Sequence, residues 1–328
     1  MNEFVTLDEI QGAAARIAGT AVRTPLVRLG VPGETREIWV KCESEQPIGS
    51  FKLRGAYNMI AQLSPEVVAK GVITYSSGNH AQGVAFGARA RGVKAVIVMP
   101  DNAPRVKVDA TRALGAEVVF VGAASSARKE KAEELAAEFG YSIIPPYDHQ
   151  HIIAGQATCG LEIAEQLPGV ELVLSPVSGG GLLSGTATAV KLAAEAGICN
   201  ADVKVWGAEP ELAADAKESY YSGKLVEWPA AMTSRTIGDG LRTQSLGELN
   251  FAHVLKYVDG IVTVSEDEIL DAMRLYLRNS DIVPEPSGAV TLAAALFHSR
   301  ELPRADKVVV VLSGGNVDPK LLAELRGV

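Results

Sequence analysis

Short β-branched runs alternate with longer, alanine-rich stretches of helical spacing along almost the whole chain. REIWVKCE, GVITYS, KAVIVMP, AEVVFVG, VELVLSPVS, DVKVWGAEP and DKVVVVLSGG have the length and composition of strands. AQGVAFGARARG, ARKEKAEELAAEFG, GTATAVKLAAEAG and EDEILDAMRLYLRN carry the helical period. Such alternation predicts an α/β fold of parallel sheets with helices on both faces. It also explains why the strand-like runs are apolar throughout: a strand covered on both sides has no wet face. At 328 residues the chain exceeds what one core usually serves, so two lobes are expected, each an open, mostly parallel sheet flanked by helices. ARGVKAVIVMPDNAPRVKVDATRALGAEVVFVG holds two consecutive strand-helix units of a compact sheet. We expect a smaller lobe over 49–147, with the N-terminal strand joining the C-terminal half in a larger lobe of 1–48 and 148–328.

The net charge of -8 and the absence of a local basic patch argue against a nucleic-acid surface or an anionic membrane as partner. The longest apolar runs are strand-length, far short of the roughly 20 residues that a membrane span needs. The first thirty residues carry acids and no signal-peptide core, so a cytoplasmic protein is expected. Cys42, Cys159 and Cys199 are widely spaced, without a CxxC or metal spacing, and read as idle thiols.

Three strand-like runs end in near-copies of one phrase: YSSGNH (75–80), PVSGGGLLSG (176–185) and LSGGNVD (312–318). The carboxyl ends of strands form the ligand crevice of open parallel sheets, so the three loops should converge on one site. SGGGLLSG follows a strand and opens a helix, which lets the amides of Gly179, Gly180 and Gly181 face an anion such as a phosphate. The alternative is a glycine turn that only connects strand to helix. A dinucleotide loop, as in a nucleotide-dependent oxidoreductase, is a third reading. It is weakened by GxGxxxG spacing and by an acid, Glu209, that comes late; the Walker pattern lacks its lysine. In SFKLRGAYNMI, Lys52 stands where a loop becomes a helix. A lysine at a helix start is commonly a solvated charge, but a buried one loses its proton more readily and can form a Schiff base with an aldehyde. Pyridoxal phosphate supplies both an aldehyde and a phosphate.

SFKLRGAYNMI, SSGNHAQG, AGQATCGLEI, VSGGGLLSG, EPSGAV and LSGGNVD together resemble the fold-type II pyridoxal-phosphate enzymes, which are tryptophan-synthase-β-like, and among them the serine/threonine dehydratases and serine racemases. The likeness runs from RTPL near residue 24 to beyond Asp318. It implies that Lys52 carries the cofactor as a Schiff base, with Phe51 packed beside it, and that Asn79 bonds the pyridine 3-hydroxyl. Ser76, Ser77 and His80 would hold the substrate carboxylate. Ser178, Gly179, Gly180, Gly181 and Leu182 would cradle the phosphate, Ser313 would face the pyridine nitrogen, and Glu285 would lie nearby. A neutral serine at that nitrogen leaves a weaker electron sink than a carboxylate would, which suits β-elimination. The implied reaction is dehydration of L-serine or L-threonine to pyruvate or 2-oxobutyrate and ammonia.

Other residues divide the family. Ser77 matches the second base of the racemases, and Arg128 resembles an arginine of serine racemases and 3-hydroxyaspartate dehydratases, where it meets a second substrate carboxylate or closes the small lobe over the ligand. Read by itself, Arg128 is an exposed arginine near a helix start. Tyr147 points the other way, to the aromatic pattern of threonine dehydratases. Glu209, the carbonyl of Ala213 and Asp215 match a divalent-cation site for Mg²⁺, Ca²⁺ or Mn²⁺; without the resemblance, acids near a helix start need no metal. The resemblance also implies a homodimer, and the short stretch after LSGGNVD leads us to expect no isoleucine-binding regulatory domain.

Overall fold

In a computed structural model, residues 4–76, 78–103, 105–122 and 125–327 are described. The strands are β1 Leu26–Leu29, β2 Glu37–Cys42, β3 Val72–Tyr75, β4 Ala95–Pro100, β5 Glu117–Val121, β6 Ser142–Ile143, β7 Leu172–Pro176, β8 Lys204–Pro210, β9 Gly260–Val264 and β10 Lys307–Leu312. The helices are α1 Leu7–Ile17, α2 Lys52–Ile60, α3 Pro65–Lys70, α4 Asn79–Ala90, α5 Arg105–Ala113, α6 Ser125–Phe139, α7 Gln150–Gln166, α8 Gly181–Glu195, α9 Asp215–Ser222, α10 Ala230–Thr233, α11 Glu248–Tyr257, α12 Glu266–Asn279, α13 Pro286–Phe297 and α14 Pro319–Arg326.

They build two sheets. The large one has the order β1-β2-β10-β7-β8-β9 and is parallel except for β1, which runs antiparallel to β2 at the edge. The small one, β5-β4-β3-β6, is parallel throughout. All seven strands expected from composition are present, and β2 pairs in parallel with β10. β1, β6 and β9 were not singled out; β6 has only two residues, too few for a period to show.

The apolar runs are explained by burial on both faces. Successive side chains of a strand point to opposite sides. Val308, Val310 and Leu312 of β10 enter the core under α12 and α13, whereas Val309 and Val311 enter the one under α8 and α11. In β4, Ala95, Ile97 and Met99 divide in the same way from Val96 and Val98.

Helix starts follow local chemistry. Thr6 with Glu9, and Ser265 with Glu268, form reciprocal capping boxes for α1 and α12. Glycines let α2, α7 and α8 touch through their backbones. A Cβ on Gly155 would lie 2.6 Å from the Gly55 Cα, and one on Gly160 would lie 2.5 Å from the Thr186 carbonyl oxygen. These approaches fix α2, and with it Lys52, against the large sheet.

Candidate active site

Lys52 is the first residue of α2, where the helix presents its positive end and no side chain caps it. The amine is half-buried, and this burial brings its pKa down to about 8. Its Nζ donates to the Pro146 carbonyl at 2.8 Å. Gly83 of α4 abuts the Lys52 carbonyl from the other side, where a Cβ would lie 3.1 Å from the oxygen. Phe51 lies alongside, its ring centroid 5.2 Å from Nζ, and its N–H donates to the Ser313 carbonyl.

One residue past Pro146, the Tyr147 ring lies flat against the glycine loop after β7. A Cβ on Gly179 would sit 2.5 Å from that ring, and one on Gly180, which has φ +97°, would sit 2.7 Å from Asn250 Cβ. Burial drives the Tyr147 phenol up to about 12, so it stays protonated. The intrahelical bonding of α8 begins with Ser184 N–H to the Gly180 carbonyl, which leaves the preceding amides without intrahelical partners. Ser178 Oγ shares a hydrogen bond of 2.6 Å with Thr243 Oγ1. The three glycines thus offer backbone amides at a helix start without side chains of their own, which fits a phosphate.

The third loop closes the site. Asn79, at the start of α4, donates from Nδ2 to both oxygens of Glu285, at 2.9 and 3.2 Å, and accepts from Asn316 Nδ2 at 2.8 Å. Glu285 is almost fully buried; desolvation, helped by the charge of Asp239, brings it up to about 7. Ser313 is buried beside it. Ser76 Oγ accepts from Gly78 N–H, and Gly78 borders open space. The His80 side chain turns into the small sheet and bonds the Ile144 carbonyl through Nε2. Burial, then the nearby Lys52 charge, pulls its pKa down to about 3, so the ring is neutral. What His80 presents at the helix start is its backbone amide. Ser77 lies outside the described residues.

Residues 17–314 match the model of the family described as pyridoxal-phosphate dependent enzyme. The chain belongs to that family. Its dinucleotide reading falls with that membership. The enzyme is 39% identical to L-threo-3-hydroxyaspartate ammonia-lyase of Saccharomyces cerevisiae, over 98% of this chain and 96% of the relative. It is 40% identical to L-threonine ammonia-lyase of Thermotoga maritima, over 97% and 77%. The solved serine racemase of Dictyostelium discoideum superposes with a TM-score of 0.88 at 39% identity, covering 96% of this chain and 99% of that one. The fold is that of the fold-type II pyridoxal-phosphate enzymes. The three activities lie at equal distance, so identity alone does not choose among them.

Two further groups of the enzyme stand out. Glu209, at the end of β8, and Asp215, at the start of α9, are fully buried. Glu209 Oε1 accepts from Lys217 N–H, but Glu209 Oε2 and Asp215 Oδ2 have no partner. Burial, then the charge of Asp215, pushes Glu209 well above the usual carboxylate range; burial brings Asp215 to about 7. Ala213 is buried in the turn between them. Arg128, in the first turn of α6, is half-buried, with Nε lacking a partner and its pKa lowered by desolvation, so it is not the exposed arginine of the simpler reading. Thr243, Asn316 and the Pro146 carbonyl were not singled out from sequence; Asn316 alone had a signal, inside LSGGNVD. Among the described residues, no helix is long and apolar enough to cross a membrane.

Proposed function

We propose that the enzyme is a dehydratase that releases ammonia from L-threonine or L-serine, leaving 2-oxobutyrate or pyruvate. The observation that carries this reading is a lysine amine held near pH 8 where three small-residue loops meet. Pyridoxal phosphate, when bound, supplies an aldehyde for that amine and a ring that takes up the charge left when the α-proton departs. The amides of residues 178–182 hold the phosphate, Asn79 and Ser313 orient the ring, and Glu285 fixes the Asn79 amide. Lys52 Nζ, when neutral, would accept the α-proton of the substrate, and the ammonium so formed would return a proton to the departing β-hydroxyl, which leaves as water. The α4 start, with Ser76, Ser77 and the His80 amide, receives the substrate carboxylate. Tyr147, packed over the glycine loop, is the aromatic residue of the dehydratase pattern and supports this substrate class. Residues 49–147 form the unit that closes over the substrate. Glu209, the Ala213 carbonyl and Asp215 hold a divalent cation, Mg²⁺ or a similar ion.

The partnerless Nε of Arg128 favours a second reading, in which the substrate carries a further carboxylate, as L-threo-3-hydroxyaspartate does. A time course with cofactor and Mg²⁺, following keto acid and both enantiomers of residual amino acid from the three substrates, tests both. Keto acid without D-amino acid is expected. Lys52→Ala should abolish it. D-serine formed faster than pyruvate would overturn the dehydratase reading.

A further inference from the structure

We infer that the ion pair between Lys107 and Asp239 is a clasp that holds the small-sheet unit closed over the active site and thereby sets substrate affinity. Lys107 lies in the first turn of α5, the helix that joins β4 to β5, and its Nζ donates to Asp239 Oδ2 at 2.6 Å. Asp239 opens a 3-10 turn, Asp239–Leu241, that packs on the large-sheet side. Among the described residues this is the one ion pair that joins an element of 72–143 to the rest of the enzyme.

What the turn is tied to gives the pair its leverage. Gly240 N–H donates to Ser287 Oγ at 2.9 Å, two residues after Glu285 caps α13. Thr243 N–H reaches Ser178 Oγ, and the two hydroxyls share a hydrogen bond. The segment 239–243 therefore runs from the residue beside Glu285 to the glycine loop, and Lys107 grips it from the other sheet. A partly exposed pair adds little to a rigid structure. It acts differently on an equilibrium between open and closed forms, because an interaction made in one form only shifts the population by its full strength.

The two charges also act on Glu285 in opposite senses: Asp239 raises its pKa and Lys107 lowers it, while the Asn79 amide from α4 and the Asn316 N–H lower it further. This separates a clasp with an electrostatic hand in the site from a purely mechanical one. Removing either charge breaks the same contact but moves Glu285 in opposite directions.

The inference rests on the dehydratase reading for its kinetic test and is independent of it in the second. In the holoenzyme, Lys107→Met and Asp239→Asn should each raise KM for L-serine or L-threonine by about three- to fivefold and leave kcat within about twofold, as loss of one partly exposed pair implies. The native KM should rise with salt, which screens such a pair, while the variants stay flat. The exchanged pair, Lys107→Asp with Asp239→Lys, should recover most of the loss. The acidic limb of kcat/KM should move down in pH for Asp239→Asn and up for Lys107→Met. Unchanged KM in both single variants, no recovery in the exchange, or limbs that move the same way would each overturn the inference. Amide hydrogen exchange of α5 in the loaded enzyme gives a readout without turnover: faster exchange in each single variant and restored protection in the exchanged pair are expected. Equal exchange in all four would sink the clasp whether or not the substrate has been correctly chosen.

Discussion

Two clusters of buried charge in this enzyme differ in one respect. Arg54 and Lys41 meet Glu43 and Glu162, so the charges cancel. Arg54 bonds both oxygens of Glu43, at 2.7 and 2.8 Å, and both of Glu162, at 2.7 and 2.8 Å; Lys41 adds 2.5 Å to Glu162 and 2.8 Å to the Thr24 carbonyl. Glu209 and Asp215 are as deeply buried, carry two negative charges when ionised, and each keeps an oxygen without a partner. The two clusters are alike in depth of burial and differ in balance of charge. The balanced cluster ties β2, α2 and α7 together and so positions Lys52. The unbalanced one is a deficit that protons or a cation must meet.

Breaking the balance should have the largest effect. Arg54→Met leaves Glu43 buried without its paired cation, and Glu162 with Lys41 alone, and should lower stability by about 3–5 kcal/mol, read as a fall in the urea midpoint at unchanged slope. A loss below ~1 kcal/mol would mean that the cluster is not what secures α2.

Supplying the missing charge should act in the opposite direction at the other cluster. With Mg²⁺ at about a hundred times its Kd, the native enzyme should gain about 2.7 kcal/mol over the chelator-treated form. Glu209→Gln should show no such gain. Equal melting temperatures of the native enzyme with Mg²⁺ and with chelator would remove the cation from the site.

The clusters should also part on titration. Asp215 is raised from 3.8 to about 7, so between those values the metal-free folded state holds a proton that the unfolded chain has lost. Stability from this group is complete below pH ~4 and fades as pH rises through about 7, a change on the order of 4 kcal/mol. Glu43 is lowered by Arg54 despite its burial, so its contribution is present above the ordinary carboxylate range and is lost as pH falls through its folded pKa. Denaturation midpoints from pH 3 to 8, with and without Mg²⁺, read both slopes, and the cation should flatten only the neutral one.

The smallest effect belongs to a pair in water. Arg23 and Glu165 lie 2.6 Å apart but are half-exposed, so Arg23→Ala should change stability by less than about 0.5 kcal/mol. A larger loss would make distance rather than burial and balance the quantity that matters.

The site was legible in the sequence where its signals are local. Lys52 at a loop-to-helix change and the glycines after β7 are short-range patterns, and the structure brings both to strand carboxyl ends. His80 shows the limit: its place in SSGNH was readable, but that its ring turns to Ile144, leaving an amide at the helix start, depends on β6 beside it. Arg54 sits two residues after Lys52 in the same phrase, yet nothing near it in sequence shows that its partners are Glu43 and Glu162.

Strand and helix alternation, the two-face burial of β10 and β4, and the order of the site loops are set by spacing of a few residues, so the sequence alone determines them. The pairings are not of that kind. Arg54 and Glu162 are 108 residues apart, Lys107 and Asp239 132, and Asn79 and Glu285 206. Which charge is balanced, which proton is held near pH 7 and which sheet is gripped by which depend on desolvation and on partners brought from a distance. Only the folded chain supplies those.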